Sequence, residues 1–307
     1  MGRLTQLEEK AHDDALALLS LTRVLSNDEV DFVYRHYSPL ATHRVAQNAI
    51  YFTPPEAAAL LAIYARMEGR ARIIDLAAGI GILTHHMLLA ERWDDHTAAK
   101  QHVCVELDAE FVAVGRKLLP QVEWVCGNSF DPDLMHALGS FDAGIANPPF
   151  GQIPALKAAK TWLRARVPAH LATVEVMLRM CRQGGTILLP RNDQNIQRER
   201  RTEPSSVLKR MYTAWPGVQV SMDADLDGLC DDEGKPLRWH GADPDVVVAD
   251  VNIDDAKFEL PYGWSDARRG ARTPTLAPTR IPVESPAVMI PAGMPSDTQQ
   301  LALFATD

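Results

Sequence analysis

The chain is predicted to fold as an α/β protein, with a doubly wound, mostly parallel seven-stranded sheet and an antiparallel last strand. Three observations predict this. Short apolar runs alternate with helix-length stretches from Arg72 to Leu189. The first run passes through Asp75 into the tight turn Gly79-Ile80-Gly81. Two later runs, Val218 to Met222 and Asp245 to Ile253, bracket an acidic loop and suit a closing antiparallel pair.

The elements follow in order. Helices are expected from Thr5 to Leu21 and from Asp28 to Tyr37, the second opened by Ser26 with Glu29 three residues on, a capping-box spacing, and closed by Pro39. A third helix starts at Thr53-Pro54-Pro55-Glu56, read with Thr53 as N-cap and Pro54 as the first helical residue; it runs to about Met67, where Gly69 ends it. Arg72 to Leu76 is the first strand, and a helix follows the glycine turn. Strands are then expected at His102 to Leu107, Val122 to Cys126 and Phe141 to Ala146, the last running into Asn147-Pro148-Pro149-Phe150. A helix from about Ala169 to Arg182 stops at Gly184-Gly185, and Thr186 to Leu189 is the fifth strand.

Composition narrows the function classes. A chain of 307 residues with 46% hydrophobic residues can bury a full core without disulfide staples. Its 31 basic and 40 acidic side chains give a net charge of −9, which excludes coating nucleic acid by bulk positive charge. A polyanion must be held locally. Residues 151–210 carry twelve Lys and Arg against four acids, whereas residues 223–259 carry twelve acids against three bases. Lys157, Lys160, Arg164, Arg166, Arg198, Arg200, Arg201, Lys209 and Arg210 form the positive flank that follows the chain's midpoint and can hold phosphates.

No apolar run approaches the roughly 20 residues of a membrane-spanning helix, and the first residues carry acids where a signal peptide has its apolar core. A cytoplasmic protein is expected. Cys104, Cys126, Cys181 and Cys230 are far apart, which suits neither a disulfide framework nor a zinc knuckle, and no metal site is expected. From Pro261 the composition turns to Pro, Ala, Thr and Ser without periodicity. The domains expected are a helical extension at 1–49, a catalytic domain at 50–259 and a disordered tail at 260–307 that ends in a docking motif.

A strand ending in an acid, a glycine turn opening a helix, and Glu106 at the end of the next strand together suit a nucleoside-bearing cofactor. Thr84 stands where a dinucleotide fingerprint wants its third glycine, so a dinucleotide is disfavoured. Asp75-Leu76-Ala77-Ala78-Gly79-Ile80-Gly81 resembles the first motif of the S-adenosylmethionine-dependent methyltransferases. Tyr51-Phe52-Thr53-Pro54-Pro55 looks like the cofactor segment that precedes it in adenine-N6 DNA methyltransferases.

That resemblance implies S-adenosyl-L-methionine as cofactor, with Tyr51 and Thr53 toward its methionine end, Asp75, Gly79 and Gly81 beneath it, and Glu106 on the ribose. Asn128 and Phe130 fall where the family holds the adenine, although there Asn stands for Asp and Ser129 intervenes.

Asn147-Pro148-Pro149-Phe150 matches the Asn/Asp-Pro-Pro-aromatic motif of amino-group methyltransferases. Two prolines stiffen the loop and remove two donors, so it presents acceptors, the Asn147 side-chain oxygen and the Pro148 carbonyl. Both can accept from one exocyclic NH2, and Phe150 can stack on a base flipped out of its duplex. Asn147 also borders the implied cofactor. Cytosine C5 chemistry is disfavoured, because no cysteine follows a proline.

The resemblance covers roughly residues 50–255 and lacks the family's sizeable recognition domain. An RNA adenine methyltransferase is therefore the strongest rival, followed by a protein glutamine methyltransferase and a catalytically silent binding subunit. Gln300-Leu301-Ala302-Leu303-Phe304 resembles the peptide by which bacterial proteins dock onto the polymerase sliding clamp, with Gln300, Leu301, Leu303 and Phe304 as anchors. A clamp partner favours DNA.

Overall fold

A computed structural model describes residues 4–38, 52–65, 70–92, 100–149, 151–154, 166–190, 218–226, 229–231, 233–235, 237 and 246–253. All of them belong to one compact unit, Met1–Ala271. Helices α1 (Gln6–Ser20) and α2 (Asn27–His36) each open on a complete capping box, Thr5 with Glu8 and Ser26 with Glu29.

Helix α3 (Pro55–Tyr64) corrects the expected start. Its N-cap is Pro54, with no side-chain cap, so Thr53 lies one residue outside the helix and caps nothing. Pro55 at the first helical position has no N–H to satisfy, which removes part of the need for a capping oxygen.

The sheet then builds by alternation: β1 (Arg72–Leu76), α4 (Ile82–Glu91), β2 (Gln101–Glu106), α5 (Ala109–Leu118), β3 (Glu123–Cys126), α6 (Pro132–Leu138) and β4 (Ala143–Ala146). A short antiparallel hairpin, β5 (Gln152–Pro154) and β6 (Arg166–Pro168), precedes α7 (Ala169–Met180). No periodicity in the sequence marks this hairpin. Strands β7 (Gly185–Pro190), β8 (Val218–Asp225) and β9 (Val246–Ile253) complete the sheet.

Its order is β3-β2-β1-β4-β7-β9-β8. The first five pair in parallel, and β9, last in the chain, inserts antiparallel between β7 and β8. The expected fold class is therefore the observed one. Phe141 does not join β4: it makes only an isolated bridge to Cys181, while Asp142 turns its carboxylate onto the N–H groups of Ala71 and Arg72, both at 2.9 Å.

Strand alternation sorts the core onto both faces of the sheet. Ile73, Cys104, Ala143, Ile145 and Leu188 face one apolar cluster, to which α1 and α2 add Ala15, Val33 and Tyr34. Ile74, Val103, Ala146, Ile187 and Leu189 face the other, built largely on α7. That helix is buried along its whole length, and its charged pair Glu175 and Arg179 is joined one turn apart. Cys104 and Cys181 are buried, Cys126 is half-buried and Cys230 exposed. Among the described residues, no helix is long and apolar enough to cross a membrane.

Strand order reverses between β1 and β4, which pair as Ile73 with Ala143 and Asp75 with Ile145. Because the two strands are parallel, their carboxyl ends open side by side. In a doubly wound sheet this reversal is where a ligand crevice forms.

Candidate active site

The carboxyl end of β1 leads into the glycine turn, and that of β4 leads into Asn147-Pro148-Pro149. Three consecutive odd positions of the turn lie in the left-handed region: Ala77 at φ 65°, Gly79 at 58° and Gly81 at 94°. The two glycines serve different neighbours. A Cβ on Gly79 would sit 3.4 Å from the Phe52 ring, whereas one on Gly81 would press to 2.9 Å against the Trp124 indole. Gly81 thus lets the turn pack on the core. Ala77 carries a side chain in the same conformation, at a cost of about 1 kcal/mol.

Glu106 links the turn to the next strand. Its Oε2 accepts from the Gly79 N–H at 2.8 Å and its Oε1 from the Asp108 N–H at 2.8 Å. Burial raises its pKa, against the opposing pull of the N–H groups of Asp108, Gly79 and Leu107. A carboxylate has about four lone-pair positions, so it keeps capacity for a further donor. Leu107, beside it, is 69% exposed, an apolar side chain left open at the end of β2. Its signal in the sequence was a strand position that the strand does not use.

Asp75 lies beneath the turn. Its Oδ2 accepts from the Thr84 hydroxyl at 2.9 Å, tying β1 to α4, and Oδ1 is buried with no partner among the described residues. Burial pushes the carboxyl up to about 7, opposed by the Thr84 hydrogen bond. The residue that breaks the dinucleotide pattern thus holds the acid of the motif.

Helix α2 braces the turn from outside. Tyr34 donates its hydroxyl to the Ile80 carbonyl at 3.5 Å, and Asp31 pairs with His85 at 3.2 Å. Burial lowers the pKa of His85, and burial followed by the neighbouring His85 lowers that of His86 to about 4. Both rings are neutral packing groups at pH 7. Tyr37, Phe52 and Phe111 form a chain of ring contacts, 6.1 and 5.1 Å between centroids, behind Gly79.

The Asn147 loop meets the upstream segment directly. Asn147 donates its Nδ2–H to the Thr53 hydroxyl oxygen at 2.9 Å, across 94 residues of sequence. Pro148 is buried, and the Gly151 carbonyl accepts from the Ala169 N–H at 2.8 Å, fastening the loop to α7.

Asn128 is exposed and its side-chain oxygen accepts from the Phe130 N–H at 2.9 Å, closing its own turn, while Phe130 packs on the second core cluster. Tyr51, Phe150, the residues 300–304 of the docking motif and the positive flank other than Arg166 lie outside the described residues. Arg166 donates to the Gln152 carbonyl at 2.6 Å.

A protein described as a modification subunit of a type I restriction enzyme from Vibrio vulnificus YJ016 superposes with a TM-score of 0.50 at 12% identity, over 78% of this chain and 54% of its own. A protein described as a class I S-adenosylmethionine-dependent methyltransferase from Listeria monocytogenes gives 0.50 at 15% identity, over 84% of each chain. The fold is that of the class I S-adenosylmethionine-dependent methyltransferases. The chain spans about half the length of the Vibrio subunit. No protein-family model and no curated protein matches it.

The crevice fits the cofactor of that fold in two respects. Glu106 keeps acceptor capacity at the end of β2, and the open Leu107 beside it offers an apolar surface for a base. Asp75 belongs to the support of the turn, since its carboxylate is 1% exposed.

Proposed function

We propose that the chain transfers a methyl group from S-adenosylmethionine to the exocyclic N6 of adenine in DNA, with the target base flipped out of its duplex. The observation that carries this reading is Asn147-Pro148-Pro149 at the end of β4, beside the glycine turn and hydrogen-bonded to the upstream segment. Glu106 accepts from the ribose hydroxyls, Gly79 and Gly81 carry the turn beneath the cofactor on its Asp75 support, and Leu107 lies against the adenine with Asn128 and Phe130 nearby. The backbone around Tyr51 and Thr53 lines the methionine end. When bound, the cofactor supplies a methyl group on a positively charged sulfur.

An aromatic amine is a weak nucleophile because its lone pair is spread into the ring. The Asn147 side-chain oxygen and the Pro148 carbonyl accept its two hydrogens, draw the nitrogen toward tetrahedral geometry and aim its lone pair. Phe150 stacks on the base, a contact worth about 1 to 3 kcal/mol. We further propose that residues 300–304 dock onto a sliding clamp and bring the enzyme to DNA.

The test is transfer of tritiated methyl to unmethylated DNA, ribosomal RNA and protein, followed by identification of the labelled group. N6-methyladenine in DNA is expected, and Asn147→Ala should abolish it while cofactor binding stays nearly intact. Label confined to RNA or to a glutamine side chain would replace the substrate assignment, and full turnover by the Asn147 variant would remove the mechanism.

A further inference from the structure

We propose that Thr53 is a positioning residue, whose hydroxyl oxygen orients the Asn147 carboxamide so that its oxygen meets the target amine. The proposal rests on the methyl-transfer reading above. Thr53 is only 4% exposed, caps no helix and accepts the Asn147 Nδ2–H at 2.9 Å. The sequence assigned it two other tasks, capping and the cofactor.

Both partners stand directly before a proline pair, Thr53 before Pro54-Pro55 and Asn147 before Pro148-Pro149. A residue before proline is confined to extended backbone, and a threonine is further restricted at χ1. The hydrogen bond therefore joins two stiff backbones from distant parts of the chain. That is unlike a surface contact between mobile side chains.

The chemistry needs this arrangement. A carboxamide has a donor end and an acceptor end of nearly equal shape. The target NH2 donates, so only the oxygen serves it, and a flipped amide would set donors against donors. With one N–H of its NH2 held by Thr53, the amide is fixed with its oxygen directed away from the threonine hydroxyl. Reaction rates are steep in such alignment, with losses of about a hundredfold for misplacements of an ångström.

The test compares Thr53→Val, which keeps shape and removes the hydroxyl, with Thr53→Ser, which keeps the hydroxyl. Calorimetry with S-adenosylmethionine reports folding and cofactor affinity, and methyl transfer to unmethylated DNA is measured at saturating cofactor and DNA. For the valine variant, kcat should fall about tenfold to a hundredfold with cofactor Kd within about threefold of wild type; serine should restore kcat to within about threefold. In protein labelled with 15N-asparagine, the side-chain NH2 signal missing from Asn147→Ala should move and exchange faster in Thr53→Val. Wild-type kcat in the valine variant, or a loss confined to cofactor Kd, would overturn the proposal. Full activity in Asn147→Ala would instead overturn the methyl-transfer reading, and the amide signal would still decide whether Thr53 holds Asn147.

Discussion

Glu106 and Asp75 show how two acids of one motif acquire different tasks from their surroundings. Glu106, at the end of β2, keeps acceptor capacity, so Glu106→Ala should weaken S-adenosylmethionine binding by roughly 1 to 3 kcal/mol, the value of a charged hydrogen-bonding partner. Calorimetry with wild-type affinity in that variant would remove Glu106 from the site. Asp75 is sealed beneath the turn with its carboxyl raised to about 7. Between about pH 4 and pH 7 the folded chain keeps a proton there that the unfolded chain releases, so its contribution to stability falls as pH rises through that window and levels off above it. Asp75→Asn carries no such dependence. Urea unfolding of the cofactor-free proteins should therefore show the variant gaining on wild type between pH 5 and pH 8; an equal margin at both pH values would refute a raised Asp75.

Helix α2 connects local sequence signals to the crevice. Its capping box makes it a stable unit, and its inner face then delivers Tyr34 to the Ile80 carbonyl and Asp31 to His85. Ser26→Ala removes the capping oxygen and should cost about 1 kcal/mol. The loss should be read in faster amide exchange along residues 27–36 and in a lower Tm. Because α2 braces the glycine turn, saturating S-adenosylmethionine should recover part of that Tm by mass action. Undiminished exchange protection in α2 would show that tertiary packing alone holds it. The contrast is α3, where Thr53 has the residue type of a cap but stands one residue before the N-cap Pro54, and its hydroxyl meets the distant Asn147 instead.

For the molecule as a whole, a formal charge of −9 must be reconciled with a polyanionic substrate. The excess of bases in residues 151–210 follows the Asn147 loop in the chain and the acidic excess comes further along, so a polyanion would be attracted locally and not by the net charge. The docking peptide proposed at residues 300–304 would add residence on DNA. A peptide of the last fifteen or so residues should pull down a bacterial sliding clamp, and Leu303→Ala or Phe304→Ala should release it. If the unmutated peptide fails to bind, the tail has no part in recruitment.

The strands from Arg72 to Leu189, the glycine turn, the Asn147 loop and the antiparallel finish were all legible in the sequence, since each depends on local periodicity or on backbone rules for glycine and proline. Those rules act within a few residues. Other features needed the fold. The hairpin at Gln152–Pro154 and Arg166–Pro168 is too short to carry a period, and β4 starts only at Ala143, after Asp142 has turned its carboxylate onto the N–H groups of Ala71 and Arg72, 71 and 70 positions away. Gly81 answers to Trp124, and Thr84 to Asp75. The Thr53 to Asn147 hydrogen bond exists only because parallel pairing of β1 and β4 opens their ends on one crevice, where α3 also begins. Contacts between distant residues depend on which strands are neighbours, and strand order is a property of the packed sheet, not of any segment in it.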